Sequence, residues 1–350
     1  MNKKLKWGVI GAGGIAYRRT IPEGIIPARN ATLIAVMDVN KEVAKKVGEE
    51  FGVKWYTKEK DLIKEPDIEA VYIATPAYLH FSQAIECLKA NKHVLIEKPM
   101  ALKIDQCHKI IQLGKYRNLK IGVDFMMRFH GVHEKIKEMI KEGKLGRPVM
   151  ARAQLSCWYP KIKGAWRQIP KFGGGGSLID MGSHCIDIIE FIFGSKVKEV
   201  FCFAETVVQK YSVEDTAIMT VKLKNGAIGI VDACFSIPDN SSLNVLEIYG
   251  SKGSVLAKGT IGQSSKGEAI AYLEKKQKIY DAKQIREVSY KEEIKFSPKN
   301  IYLSQIESFS DAVLKNKKVF VSGEDGLWNQ KIIEAAYKSA KEKKVIVLMD

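Results

Sequence analysis

Over the first 123 positions, short apolar runs alternate with longer amphipathic stretches. The runs are Trp7 to Ile10, Leu33 to Met37, Ala70 to Ala74, His93 to Ile96 and Lys120 to Val123. Between them, stretches such as Phe81 to Ala90 and Ile104 to Arg117 repeat apolar residues near a 3.6 spacing. Short strands separated by helices predict a parallel, doubly wound α/β sheet with ligands at the carboxyl ends of its strands. Ala74-Thr75-Pro76 and Glu97-Lys98-Pro99 fall at two of those ends.

The period changes after a helix expected over about His133 to Glu142 and a turn at Gly146-Arg147-Pro148. Runs at Val149 to Trp158, Val197 to Val208, Thr216 to Leu223, Ala227 to Phe235, Leu243 to Tyr249 and Ser254 to Ala257 predict a large, mostly antiparallel sheet. One helix, Ser177 to Phe193, interrupts it, and the tail reads as helices Ile301 to Lys315 and Gly326 to Lys341 before a short strand near Val345 to Leu348. The expected division is 1–123, 124–300 and 301–350, the last part completing a two-domain body. The Gly, Ser and Lys-rich stretch 259–267 is the least ordered candidate. Phe201, Phe203, Ile228 and Ile230 stand on one side of the sheet. That apolar side has no evident partner in the chain and predicts a homodimer or homotetramer.

The composition narrows the class. With 350 residues, 46% hydrophobic, the chain can bury two cores. The net charge of +16 is mostly Lys dispersed along amphipathic stretches such as Lys41 to Glu50, often with Glu at helical neighbour spacing, and no arginine cluster or nucleic-acid motif accompanies it. No nucleic-acid partner is expected. Six scattered cysteines without a CxxC pair read as reduced core thiols. No run reads as a membrane span. The basic start MNKKLK leads straight into a strand and glycine turn that a leader peptidase could not remove, so a cytoplasmic location is expected. His130 and His133 have no third ligand nearby, and no metal is expected.

The chemistry begins at Lys6 to Ile15, where a strand runs into Gly-Ala-Gly-Gly-Ile-Ala and an acid, Asp38, follows about 20 residues on. Gly11 permits the tight turn, Gly13 admits a pyrophosphate close to the backbone, and Ala16 takes the third small position. The anion would rest on a helix N-terminus. Asp38 can accept from the adenosine ribose hydroxyls and would repel a 2′-phosphate, and no arginine follows it. NAD is therefore expected over NADP.

Two further segments join this fingerprint. Proline after Lys98 biases the lysine away from helical geometry, so the ammonium is expected at a strand end and facing a cleft. Residues 173–187, GGGGSLIDMGSHCID, place Asp180 and His184 four apart on one helix face. That pair fits either a structural histidine satisfied by a carboxylate or a general base oriented by one. Trp158-Tyr159-Pro160 and Trp166-Arg167 combine aromatic faces with a fork of donors suited to a sugar ring, although either tryptophan could be core.

The segments VIGAGGIA (9–16), ATPAYLH (74–80), EKPMA (97–101), VDFMMRF (123–129), GGGGSLIDMGSHCID (173–187), IYGSKGSV (248–255) and VSGEDGLWNQKIIEAAYKSA (321–340) resemble the glucose-fructose oxidoreductase, inositol dehydrogenase and MocA family over nearly the whole chain. The resemblance implies a Rossmann domain, a C-terminal α+β domain with an open-faced sheet often used in oligomers, and reversible oxidation of a secondary alcohol on a sugar or cyclitol. It also implies a catalytic set of Lys98, Asp180 and His184. Candidate cofactor contacts are Gly11, Gly13, Gly14, Ile15, Asp38, Thr75, Pro76, His80, Glu97 and Lys98; candidate substrate contacts are Arg128, Trp166, Arg167, Asp180 and His184. Met126 departs from the polar residue many relatives carry there. The competing reading is a non-catalytic dinucleotide-binding regulator, which has no need of an intact Lys98, Asp180 and His184.

Overall fold

The computed structural model describes residues 3–274, 282 and 290–349. Among these, the residues up to 126 together with 169–174 and 300–331 form one compact unit, and the remainder form a second. The tail is thus divided between Lys331 and Ile332, within the helix Gly323–Glu342.

In the first unit, strands β1 (Leu5–Ile10), β2 (Ala31–Met37), β3 (Lys54–Tyr56), β4 (Ala70–Ile73), β5 (His93–Ile96) and β6 (Ile121–Val123) form a sheet ordered β3-β2-β1-β4-β5-β6. Every pair is parallel. This is the doubly wound Rossmann order, and the strand sequence reverses between β1 and β4, where such sheets bind ligands. Strand β3 had no signal in the sequence because three partly exposed residues are too few to show a period. The core is built on Leu5, Trp7, Val9 and Tyr72, with Ile306, Phe309 and Ala312 from the helix Ile301–Leu314. Trp7 and Phe309 rings stand 5.4 Å apart, and Trp7 Nε1 donates to Ser310 Oγ at 3.2 Å.

Two helices depart from the expected α geometry. Ala16–Ile25, just after the glycine turn, is a π-helix with Pro22 inside it. In an α-helix that ring would meet the carbonyl of Arg18 and leave a hydrogen bond unmade; the wider turn admits it, and Ile26 N donates to Ile21 O at 3.0 Å. The expected single helix 177–193 is a π turn, Leu178–Gly182, continuing into the α-helix Ser183–Phe193. Four residues in either geometry return to nearly the same face, so Asp180 and His184 still share one.

In the second unit, β7 (Pro148–Ser156), β8 (Val197–Glu205), β9 (Thr216–Leu223), β10 (Ile228–Cys234), β11 (Val245–Gly250), β12 (Gly253–Lys258), β13 (Glu268–Leu273), β14 (Tyr290–Glu293) and β15 (Ile346–Val347) form a sheet ordered β14-β13-β12-β11-β7-β10-β9-β8-β15. The β7–β10 pair is parallel and the other pairs are antiparallel. Strands β13 and β14 were not anticipated, since the first buries only alanines on its inner side and the second is exposed throughout. The stretch 259–267 has no regular element, yet it buries Thr260 and Ile261.

Alternate residues of this sheet, among them Ala151, Ala153, Met219, Val221, Val231 and Ala233, are buried on the side of the helix Ser183–Phe193. The opposite side carries Phe203, Ile218 and Ile228, each about half exposed. On that side the Arg152–Asp232 pair, 2.6 Å apart, joins the two central strands. No helix among the described residues is long and apolar enough to cross a membrane.

Candidate functional site

The sequence builds the end of the first sheet as a nucleotide cradle. Gly11 sits at φ +86° immediately after β1, and a Cβ there would stand 2.8 Å from the carbonyl carbon of Ala74, so both conformation and space require glycine. The N–H groups of Gly11 and Ala12 both donate to Met37 O, at 2.8 and 2.9 Å, which ties the turn to the end of β2. One residue beyond, Asp38 accepts from Gly13 N at 3.1 Å and from Asn40 N at 2.9 Å. Gly14 is exposed with φ +53°, and Ile15 opens the helix without a side-chain cap. An open, exposed Gly14, an uncapped helix start and an acid placed beside the turn fit a dinucleotide.

Thr75 and Pro76 follow β4 at the same end. Thr75 Oγ1 donates to Gln83 Oε1 at 2.5 Å, and Pro76 precedes the helix Ala77–Lys89. His80 lies on that helix. It is fully buried, with Nδ1 2.8 Å from Pro99 O and Nε2 2.8 Å from Thr75 O. Its ring stands between the loops after β4 and β5. Glu97 and Lys98 follow β5, and Lys98 N donates to Glu97 Oε2 at 3.2 Å. The Lys98–Pro99 peptide is cis.

In the second unit, Glu214 approaches the glycine-rich segment closely. Its carboxylate accepts from Gly176 N and Leu178 N, each at 3.0 Å, and from the Tyr337 hydroxyl at 2.8 Å. A Cβ on Gly176 would collide with the Glu214 carbonyl oxygen, so this glycine serves close packing. Burial pushes the Glu214 carboxyl up, opposed by these hydrogen bonds. The segment beyond carries Asp180, half-buried, and His184, buried at the start of the helix Ser183–Phe193. Asp180 Oδ1 accepts from Arg167 Nε at 3.3 Å, and the Arg167 guanidinium lies 4.3 Å from the Trp166 ring. Trp166, Arg167 and Asp180 are therefore gathered into one partly exposed group. Trp158 is exposed, and neither tryptophan is core.

Arg128, the remaining candidate substrate contact, pairs with a buried acid. It is buried in a fork on Asp187, with Nε at 3.1 and 2.9 Å from the two carboxylate oxygens and a terminal nitrogen at 2.6 Å. The buried Asp187, on the helix Ser183–Phe193, offers both carboxylate oxygens to this guanidinium. His130 and His133 stack 4.8 Å apart and bond to Lys266 O and Met127 O, at 3.2 and 2.8 Å. Tyr72, not among the candidates read from the sequence, bonds to Glu97 and stands beside Asp124. Their signal was a hydroxyl inside an apolar strand and an acid directly after one.

Residues 5–125 match the oxidoreductase family's NAD-binding Rossmann fold, and residues 137–348 match its C-terminal alpha/beta domain. A myo-inositol 2-dehydrogenase of Thermotoga maritima is 28% identical over 363 residues, covering 98% of each chain. A 1,5-anhydro-D-fructose reductase of Ensifer adhaerens is 26% identical over 337 residues, 96% of each. Among solved structures, an aldose-aldose oxidoreductase from Caulobacter crescentus superposes with a TM-score of 0.88 at 24% identity, covering 99% of this chain and 100% of that one. A levoglucosan dehydrogenase bound to NADH and levoglucosan reaches 0.85 at 23%, with the same coverage. At these identities the two structures speak for the fold. The matches to both domains, together covering most of the sequence, establish that the chain belongs to the oxidoreductase family of glucose-fructose oxidoreductase, inositol dehydrogenase and MocA.

Proposed function

We propose that this protein is an NAD-dependent oxidoreductase that transfers a hydride between nicotinamide and a secondary alcohol of a sugar, sugar derivative or cyclitol. The observation that carries the proposal is Asp38, held against Gly13 at the β1/β4 end of the Rossmann sheet, where its carboxylate suits ribose hydroxyls and opposes a 2′-phosphate. Gly11, Gly13, Gly14 and Ile15 would hold the pyrophosphate, with Thr75 and Pro76 lining the same strand ends. The similarity to a myo-inositol dehydrogenase and an anhydrofructose reductase supports a cyclic polyol or sugar as substrate. The nicotinamide, when bound, supplies the hydride chemistry. His184 takes the hydroxyl proton on its imidazole, Asp180 orients that imidazole, and the Lys98 ammonium holds and polarises the substrate oxygen. Trp166 and Arg167, already stacked, offer the sugar a ring face and donors.

Stopped-flow hydride transfer over a panel of cyclitols and sugars tests this. Lys98→Ala and His184→Ala should each lower turnover by about a hundredfold while NAD affinity stays within about threefold. NAD binding without turnover of any alcohol would favour the regulator instead. We further propose a homodimer or homotetramer through the open side of the nine-stranded sheet, supported by the half-exposed Phe203, Ile218 and Ile228. A monomer mass by light scattering across concentration and salt would refute that assembly.

A further inference from the structure

Behind Lys98, the first unit gathers four oxygen-bearing side chains, of which Thr20, Tyr72 and Asp124 are buried and Glu97 is partly buried. The Tyr72 hydroxyl, on β4 and fully buried, lies 2.6 Å from Glu97 Oε1 and 3.2 Å from Asp124 Oδ2. Thr20 Oγ1, from the π-helix, donates to the same phenol oxygen at 3.1 Å. The second Glu97 oxygen accepts the main-chain N–H of Lys98.

Counting hydrogens decides the charge of this cluster. Tyr72 has one hydroxyl hydrogen, and the 2.6 Å contact directs it to Glu97. Thr20 points its own hydrogen at the phenol oxygen. An ionised Asp124 would then set its lone pairs against those of the phenol with no hydrogen between them, at a site only 2% exposed. A protonated Asp124 supplies the missing hydrogen. Its Oδ1 has no hydrogen-bond partner, which a carboxylate tolerates far worse than the carbonyl of an acid. The groups facing Asp124 are Glu97, Tyr72, Gln305 and Tyr302, none of them a cation, with Arg19 and Glu23 beyond Tyr302. Burial first, then the charge of Glu97, push the Asp124 carboxyl well above the usual range, outweighing the hydrogen bonds from Tyr72 and Gln305 that favour its charged form.

We propose that Asp124 is a positioning residue for Lys98: as a neutral acid it donates to Tyr72, which frees the Tyr72 hydrogen to hold an ionised Glu97, and Glu97 in turn holds the Lys98 backbone. The role rests on the oxidoreductase reading, in which Lys98 engages the reacting oxygen. When Asp124 ionises at alkaline pH, two carboxylates compete for one phenol hydrogen. Glu97 then loosens its hold, and turnover falls without loss of NADH affinity.

Infrared difference spectroscopy of wild type against Asp124→Asn at neutral pH tests the protonation without any substrate. A protonated-carboxyl C=O band should be present in wild type and absent in the variant; its absence from wild type overturns the proposal. In turnover with a working alcohol, Asp124→Leu should lower kcat by about tenfold with the KM for NAD within about threefold. Asp124→Asn, which keeps a donor, should restore kcat to within about threefold of wild type and remove the Asp124-dependent alkaline fall. Normal kcat in Asp124→Leu, or an Asp124→Asn as slow as Asp124→Leu, overturns the positioning role. Failure to turn over any alcohol defeats the oxidoreductase reading and the positioning role with it, while the infrared band still reports the charge of Asp124.

Discussion

Replacing Arg128 by methionine should destabilise the second unit severely while leaving the shape of its interior nearly unchanged. The Arg128 and Asp187 side chains are 9% and 3% exposed and share three hydrogen bonds of 2.6 to 3.1 Å. The guanidinium also lies 5.8 Å from the Phe191 ring. Methionine fills most of the arginine stem's volume, so the loss is electrostatic: a buried carboxylate is left with its fork of donors gone. Removing one partner from such a pair costs about 3–5 kcal/mol. A domain's whole stability is about 5–15 kcal/mol. With a urea m-value of about 2–3 kcal/mol/M, the midpoint should fall by about 1–2 M, read by far-UV circular dichroism. The double variant Arg128→Met with Asp187→Leu removes the stranded charge and should return to within about 1–2 kcal/mol of wild type. A shift below about 0.3 M in Arg128→Met would refute the argument. An unchanged midpoint with a raised KM for the alcohol would restore Arg128 to the substrate.

Further outcomes follow from other parts of the structure. NADH should bind at least about tenfold more tightly than NADPH, a difference of about 1.4 kcal/mol, and Asp38→Ala should narrow the gap in a fluorescence titration; equal affinities in wild type would defeat this use of Asp38. Gly11→Ala should cost more than about 1 kcal/mol in urea melts and weaken NADH binding, because φ +86° and the nearby Ala74 carbonyl both oppose a Cβ. Burial depresses the pKa of His133 from 6.5 to about 3. Below pH 6.5 the unfolded chain takes up a proton that the folded one refuses, so stability present above pH 6.5 is lost as pH falls toward 3. At pH 5 the loss should be about 2 kcal/mol, and His133→Leu should flatten that part of the urea-midpoint profile. An unchanged profile in His133→Leu would show that the buried imidazole is not its source.

Periodicity and glycine placement by themselves determined the Rossmann half. Short apolar strands between helices admit few arrangements, and a turn at φ +86° wedged against Ala74 admits only glycine, so β1, Gly11, Gly13 and Asp38 were legible without coordinates. The DxxxH spacing likewise survived, since four residues return to one face whether the turn is α or π. Local pattern is silent on partners distant in sequence. Tertiary structure alone decided that β7 runs parallel to β10, some 80 residues away, and that Arg128 meets Asp187. It decided that the His80 ring lies between the carbonyls of Thr75 and Pro99, and that Tyr72, Glu97 and Asp124 meet in one cluster. A side chain's chemistry is set by the groups within about 3 Å of it. In these pairings the groups come from strands and helices tens of residues apart, which only the folded chain brings together.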